Sequence, residues 1–178
     1  MPTLETQRLI LRPMNMGDAE DIFEYSQDPQ VSQHVLWDAH ASIAESKAYL
    51  RYILRQYRNN EPSSWGIVLK QSKKLIGTIG YMWWNQQNRA SEVGYSLSRA
   101  YWNHGYMTEA LRATLSFGFE QMHLYRIEAQ HEVDNPASGR VMEKVGMQKE
   151  GVLRGRLYNK GKNVDVSLYA ILRGDPRL

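Results

Sequence analysis

The sequence predicts an α+β fold: a mixed, mostly antiparallel sheet with one central parallel strand pair, flanked by about four helices. Three features predict it. Segments with an apolar residue at every third or fourth position are interspersed with segments in which every second residue is apolar, the periods of helices and strands. A strand-helix-strand crossover makes at least one parallel pair, whereas the three-strand meander and the closing hairpin turn directly and pair antiparallel. No linker, repeat or low-complexity stretch interrupts the order, so the 178 residues read as one domain, 1–178, large enough to bury a proper core.

Leu9-Ile10-Leu11 is a short first strand. Asp18 is placed to cap a helix running to about Asp28, with Ala19, Ile22 and Phe23 on its buried side. Ser42-x-x-Glu45 has the spacing of a capping box, and Tyr49, Leu50, Ile53, Leu54 and Tyr57 carry the helical period behind it. Trp65 to Lys70 and Leu75 to Trp84 read as a hairpin of β-rich strands. Asn85 to Asn88 then turns the chain into Ala90 to Leu97. That strand alternates, with Val93, Tyr95 and Leu97 on one face and Glu92, Gly94 and Ser96 on the other. A polar loop around Gly105 opens into a helix to about Met122, on which Met107, Leu111, Leu115 and Phe119 stack at spacing four. Tyr125 to Val133 is the next strand. Asn135-Pro136 follows as N-cap and first helical residue, with Gly146 at the matching C-terminal position. Gln148 to Tyr158 and Val164 to Leu172 close the chain as a hairpin around Asn159-Lys160-Gly161.

Composition narrows the chemistry. An apolar share of 42% and a mean hydropathy of −0.57 describe a soluble protein, and no apolar run approaches the roughly 18 residues that cross a bilayer. The absence of cysteine excludes a disulfide, a thiolate nucleophile and a thiolate metal site. It fits a reducing cytoplasm, and Met1 to Glu5 lacks the basic and apolar segments of a secretion signal. A net charge of +3 allows an anionic ligand and is a weak argument for nucleic acid. His34, His40, His123 and His131 have no metal-ligand spacing, so no metal is expected, and no P-loop motif occurs. Tyr81, Trp83 and Trp84 read as sheet packing, with a substrate groove as the alternative. Arg154, Arg156, Lys160 and Lys162 read as a solvated hairpin.

The chemistry lies in Trp102-Asn103-His104-Gly105-Tyr106-Met107-Thr108, the loop that opens a helix. First-turn N–H groups have no intrahelical partner, and the helix dipole adds partial positive charge, so a wrapping loop there suits a phosphate or pyrophosphate. Ligands of such sheets bind beyond the carboxyl ends of parallel strands, where both Trp102–Thr108 and Asn135–Ser138 fall.

At these residues the chain resembles the GNAT superfamily of acetyl-coenzyme A-dependent N-acetyltransferases, and within it the RimJ/RimL-like branch that acetylates the N-termini of ribosomal proteins. Four segments carry the resemblance, in order over nearly the full length: Thr6–Pro13, Glu92–Tyr95, Tyr101–Ala110, and Asn135–Ser138 with Glu143–Met147. The superfamily loop, often Gln/Arg-x-x-Gly-x-Gly/Ala, has Trp102, Gly105 and Met107 at its three defining positions here. The resemblance implies direct attack of a primary amine on the thioester in a ternary complex, with no enzyme nucleophile. It also implies that Trp102, Asn103, His104, Gly105, Tyr106, Met107 and Thr108 hold the pyrophosphate, helped by His104, Arg140 or Lys144. Leu97 and Val133 would flank pantetheine, Asn135 would bond its amides, and Ser138 would protonate the leaving thiolate. Glu92 is the expected base, reaching the amine through water, with Glu132, Tyr95 and Tyr158 as substitutes. The expected acceptor is a protein N-terminal α-amine. Alternatives are a polyamine, an amino acid or an aminoglycoside-like compound, a non-catalytic coenzyme A-binding module, and an RNA-associated protein. A cytoplasmic monomer or homodimer is expected, with no membrane partner.

Overall fold

In the computed structural model, which describes residues 1–176, the two periodicities become eight strands and five helices among the described residues. The strands are β1 (Leu4–Glu5), β2 (Leu9–Arg12), β3 (Ser64–Leu69), β4 (Leu75–Asn85), β5 (Ala90–Leu97), β6 (Arg126–Glu132), β7 (Gln148–Asn159) and β8 (Lys162–Leu172). The helices are α1 (Ala19–Ser26), α2 (Pro29–Ser32), α3 (Ile43–Asn59), α4 (Tyr106–Glu120) and α5 (Pro136–Glu143). One sheet holds all the strands in the order β1-β2-β3-β4-β5-β6-β8-β7. Among the described residues only β5 and β6, joined through α4, pair in parallel.

The fifth helix, α2, is a single turn that four residues cannot announce by periodicity. Asp28 caps it by accepting from the Gln30 N–H at 3.0 Å. Two expected caps are built differently. Asn15, not Asp18, opens the turn before α1, accepting from Gly17 N–H at 2.8 Å, while Asp18 accepts from the Asn15 N–H at 2.8 Å. Asp18 also pairs with Arg12 at 2.6 Å, a bond that draws its carboxylate toward the sheet. At α3 the Ser42 side chain makes no cap bond, because Glu45 reaches past it to the Ala41 N–H at 2.8 Å. On α1 the buried side is Ala19, Ile22, Tyr25 and Ser26, and Phe23 is only half-buried.

Each sheet face carries its own core. Under α4 and α5, Met107, Leu111, Leu115 and Phe119 meet Val93, Ile127, Ala129, Val145 and Met147. Under α1 and α3, Ile22, Leu50 and Ile53 meet Val68 and Leu75. Apart from Ala129, each such side chain contributes about 1.5–3 kcal/mol by leaving water. The segment after α2 is strapped across to the β7–β8 turn, where the Lys160 ammonium donates to the carbonyls of Val35 and Trp37 at 3.1 and 3.2 Å. Among the described residues, no helix is long and apolar enough to cross a membrane.

Candidate active site

The parallel pair is joined over only three residues: Ala90, Ser91 and Glu92 of β5 face Arg126, Ile127 and Glu128 of β6. Beyond them β5 runs on to Leu97 and β6 to Glu132 without pairing to each other, so the sheet is open between their carboxyl ends. The Trp102–Thr108 loop and the Asn135 turn flank this opening. Neither helix that starts there is capped by a side chain. Asn135 has the backbone position expected of an N-cap but makes no cap hydrogen bond, which corrects the expected capping and leaves its side chain half-buried at the opening.

The loop is braced from within. The Trp102 indole N–H donates to the Leu97 carbonyl at 2.8 Å and occupies that oxygen, while the Leu97 side chain is buried in the core. His104 Nδ1 donates to the Trp102 carbonyl at 2.6 Å, and the His104 ring stacks on Tyr106 with centroids 6.0 Å apart. Asn103 and Gly105 sit at φ of 61° and 76°. In that left-handed region glycine is the unstrained residue. These turns aim the chain into α4, whose first N–H groups lack partners of their own. Met107, bulky where a small residue is usual in this loop, is 6% exposed and packs into the core beneath α4. Its side chain therefore leaves the outer, amide-bearing surface clear.

Sequence reasoning missed the residues that tie the amino-terminal segment to this loop. Glu109 accepts from Thr6 Oγ1 at 2.6 Å and from the N–H of Arg8 at 2.7 Å through one oxygen, and from Arg8 Nε at 2.6 Å through the other. Arg8 in turn donates to the His104 carbonyl at 2.9 Å and lies 4.4 Å over the Tyr106 ring. The spacing between Thr6-x-Arg8 and Glu109 is too long for any local pattern to reveal. Beside the clamp is a hollow of about 450 Å³ lined by Arg8, Gly105, Thr108, Arg112 and Lys144. Lys144 had been expected there. Arg112, which donates to the Lys144 carbonyl at 3.0 Å, had not. The cations, the uncapped amides and the open strand pair fit a diphosphate followed by a narrow chain.

The two expected catalytic residues stand on opposite faces of the sheet. Ser138, in the first turn of α5, has its hydroxyl 2.9 Å from the Tyr95 hydroxyl, which also lies 3.2 Å from the Ser138 carbonyl. Burial pushes the Tyr95 phenol well above its ordinary value, so it stays a neutral hydroxyl near neutral pH. Gly139 lets α5 settle onto β6, since a Cβ there would lie 2.7 Å from Nε2 of His131, a buried atom with no hydrogen-bond partner among the described residues. On the other face Glu92 accepts from Trp83 Nε1 and Gln130 Nε2, both at 3.0 Å. The opening beyond Glu92 is what lets the two faces communicate.

Two carboxylates of the region titrate low. For Glu109 and Glu132 burial alone would raise the carboxyl. For Glu109, Thr6 and Arg8 outweigh that effect, and for Glu132, Asn159 and His34 do. Their folded values lie below their unfolded ones, so their contribution to stability is complete above about pH 4.5 and is lost as pH falls through the folded values. The melting temperature should therefore hold between about pH 7 and 5 and drop below about pH 4, with a smaller drop in E109Q. A melting series in buffers of fixed ionic strength checks this.

An open parallel pair flanked by two uncapped helix starts, with a hydroxyl and a carboxylate on either side, is the architecture of an acyltransferase. The sequence profile described as "Acetyltransferase (GNAT) domain" matches residues 8–148, and the chain belongs to this GNAT family. It is 36% identical over 172 residues to the uncharacterized N-acetyltransferase YoaA of Bacillus subtilis (strain 168), covering 97% of each chain. It is 26% identical to the [ribosomal protein uS5]-alanine N-acetyltransferase of Escherichia coli (strain K12), covering 97% of this chain and 91% of that one. A GNAT-family acetyltransferase crystal structure from Bacillus anthracis superposes with a TM-score of 0.87 at 27% identity, covering 97% and 99% of the two chains. The fold is also that of RimL, a ribosomal L7/L12 α-N-protein acetyltransferase solved with coenzyme A, with a TM-score of 0.86 at 19% identity over 96% and 98% of the chains. Among the described residues, no group of His, Asp and Glu could hold a metal ion.

Proposed function

We propose that the chain moves an acetyl group from acetyl-coenzyme A to a protein N-terminal α-amine, by direct attack in a ternary complex in the cytoplasm. The observation that carries the reading is the opened β5–β6 pair, with Ser138 on one face, Glu92 on the other and two uncapped helix starts at its mouth. In this reading the backbone N–H groups of Gly105 to Thr108 hold the pyrophosphate, and Arg8, Arg112 and Lys144 balance the remaining phosphate charge. Asn135 bonds the pantetheine amides alongside Leu97. Bound there, acetyl-coenzyme A supplies an activated thioester carbonyl. Ser138, held by Tyr95, gives its proton to the leaving thiolate. Glu92 meets the acceptor's ammonium on the far face.

Amine chemistry supports the α-amine. Its pKa of about 7.7–8.0 lies about 2.5 units below that of lysine, a difference of roughly 3.4 kcal/mol in the cost of deprotonation. The relative named as a [ribosomal protein uS5]-alanine N-acetyltransferase points the same way. Thiol release with acetyl-coenzyme A is measured against N-terminal peptides, polyamines, free amino acids and aminoglycosides. Peptides should give the highest kcat/KM. A polyamine or aminoglycoside ahead of every peptide reassigns the acceptor, and the absence of release with any amine, despite tight coenzyme A binding, makes the chain a binding module. E92Q should raise the KM of the preferred amine about fivefold, the loss of one partly exposed charge contact. An unchanged KM removes Glu92 from the acceptor site.

A further inference from the structure

On the acceptor face, past Glu92 and Gln130, β6 ends in Glu132, a buried carboxylate bonded at both oxygens. Asn159, at the tip of the β7–β8 hairpin, donates its amide to Oε1 at 2.5 Å. His34, on the strapped segment after α2, places Nδ1 2.8 Å from Oε2. An ionised carboxylate can only accept, so Nδ1 carries a hydrogen, and in the neutral imidazole Nε2 presents a lone pair. Among the described residues that nitrogen has no hydrogen-bond partner, and the side chain keeps 21% of its surface exposed. An amide that fixes a carboxylate that fixes an imidazole is an arrangement that holds one tautomer and leaves the other ring nitrogen for proton transfer.

Its place in the fold is equally specific. Glu132 lies in the part of β6 that no longer pairs with β5, three residues before Asn135 and six before Ser138. Glu92, Gln130 and Glu132 share one face of the sheet by strand alternation, and Gln130 bonds Glu92 directly. A hollow of about 310 Å³ adjoins, lined by Glu132, Val133, Asp134 and the start of β8. Charges nearby include Lys162 on β8, whose charge acts on Glu132, Asp134 and Asp165, which line the same hollow, and Lys160 in the β7–β8 turn, which grips the backbone at Val35 and Trp37 and pairs with Asp38.

Resting on the acetyltransferase reading above, we infer that His34 takes the proton from the acceptor's ammonium at this opening, with Glu132 and Asn159 as the residues that position it. Glu92 draws the ammonium in, and Nε2 of His34 removes one proton. The freed lone pair forms the C–N bond to the thioester carbonyl, and the C–S bond breaks. The new amide sheds its second proton as the thiolate gains one by way of Ser138. The sum is an amide, a thiol and one proton, which His34 returns to water.

The test is thiol release by H34A with an N-terminal peptide, alone and with added imidazoles of graded basicity. H34A should lose about a hundredfold in kcat, the usual scale for a general base, and keep its affinity for coenzyme A. Added imidazole should restore turnover, with rates that rise with the basicity of the added base, which a merely structural loss would not show. H34Q, which fills the site without a base, should melt like the unsubstituted protein and lose as much turnover. Unchanged turnover in H34A, or a loss in both variants that no imidazole restores, overturns the assignment and leaves the acetyltransferase reading standing. No turnover by the unsubstituted protein with any amine overturns that reading itself.

Discussion

Replacing Ser138 with alanine should lower kcat about a hundredfold, the lower end of what a positioned proton donor contributes, and leave the affinity for acetyl-coenzyme A within about twofold. The two effects separate because the residue is needed at only one moment. In the proposed reading, binding rests on the amides of the α4 start, on Asn135 and on the nearby cations, none of which S138A removes. The C–S bond, by contrast, breaks to give a thiolate that is poorly stabilised unless a proton reaches it. The Ser138 hydroxyl is held for that step by the Tyr95 hydroxyl at 2.9 Å, and Tyr95 stays protonated because its burial disfavours the charge. Presteady-state and steady-state thiol release, with cofactor affinity by calorimetry, check the split. A variant with unchanged kcat removes the proton-donor role.

Replacing Glu109 with alanine should weaken acetyl-coenzyme A about thirtyfold, roughly 2 kcal/mol, with kcat changed by less than about twofold. A carboxylate near a pyrophosphate site looks unfavourable by charge alone. Here it is already paired: its oxygens take bonds from Thr6, the Arg8 amide and the Arg8 guanidinium. Without it Arg8 swings free, and the His104 carbonyl and Tyr106 ring lose the group that fixes them. The loop must then be ordered by the ligand itself, which costs affinity. R8A should fall by a similar factor, and the double variant by little more than either, because the two residues act as one clamp. Calorimetric titration of coenzyme A against the three variants measures this, and additive losses would show that the clamp is not a unit.

The elements legible in the sequence were those with period and punctuation. β5 matches its expected bounds of Ala90 to Leu97, and α4 buries Met107, Leu111, Leu115 and Phe119 as their spacing required. What stayed hidden were contacts made across the chain. Asp18 and Glu45 had the right chemistry for caps, but each was drawn to a partner that spacing does not show: Arg12 for the first, the Ala41 amide for the second. The site divides in the same way. The glycine loop, Glu92, Asn135 and Ser138 stand in contiguous motifs and could be read directly. Arg8 with Glu109, and His34 with Glu132 and Asn159, are assembled from distant segments by the sheet order β5-β6-β8-β7 and by the strap over it. His34 read as an isolated histidine because its partner lies 98 residues away.

Direct transfer within one complex is tested most directly by initial rates of thiol release over a grid of acetyl-coenzyme A and N-terminal peptide concentrations. Reciprocal plots that intersect, with one acetyl group gained by the peptide for each thiol released, are the expected result. Parallel lines would require an acetylated enzyme intermediate, and so a nucleophile other than cysteine in this cysteine-free chain. Such lines, or no release with a chain that binds coenzyme A tightly, would contradict the account.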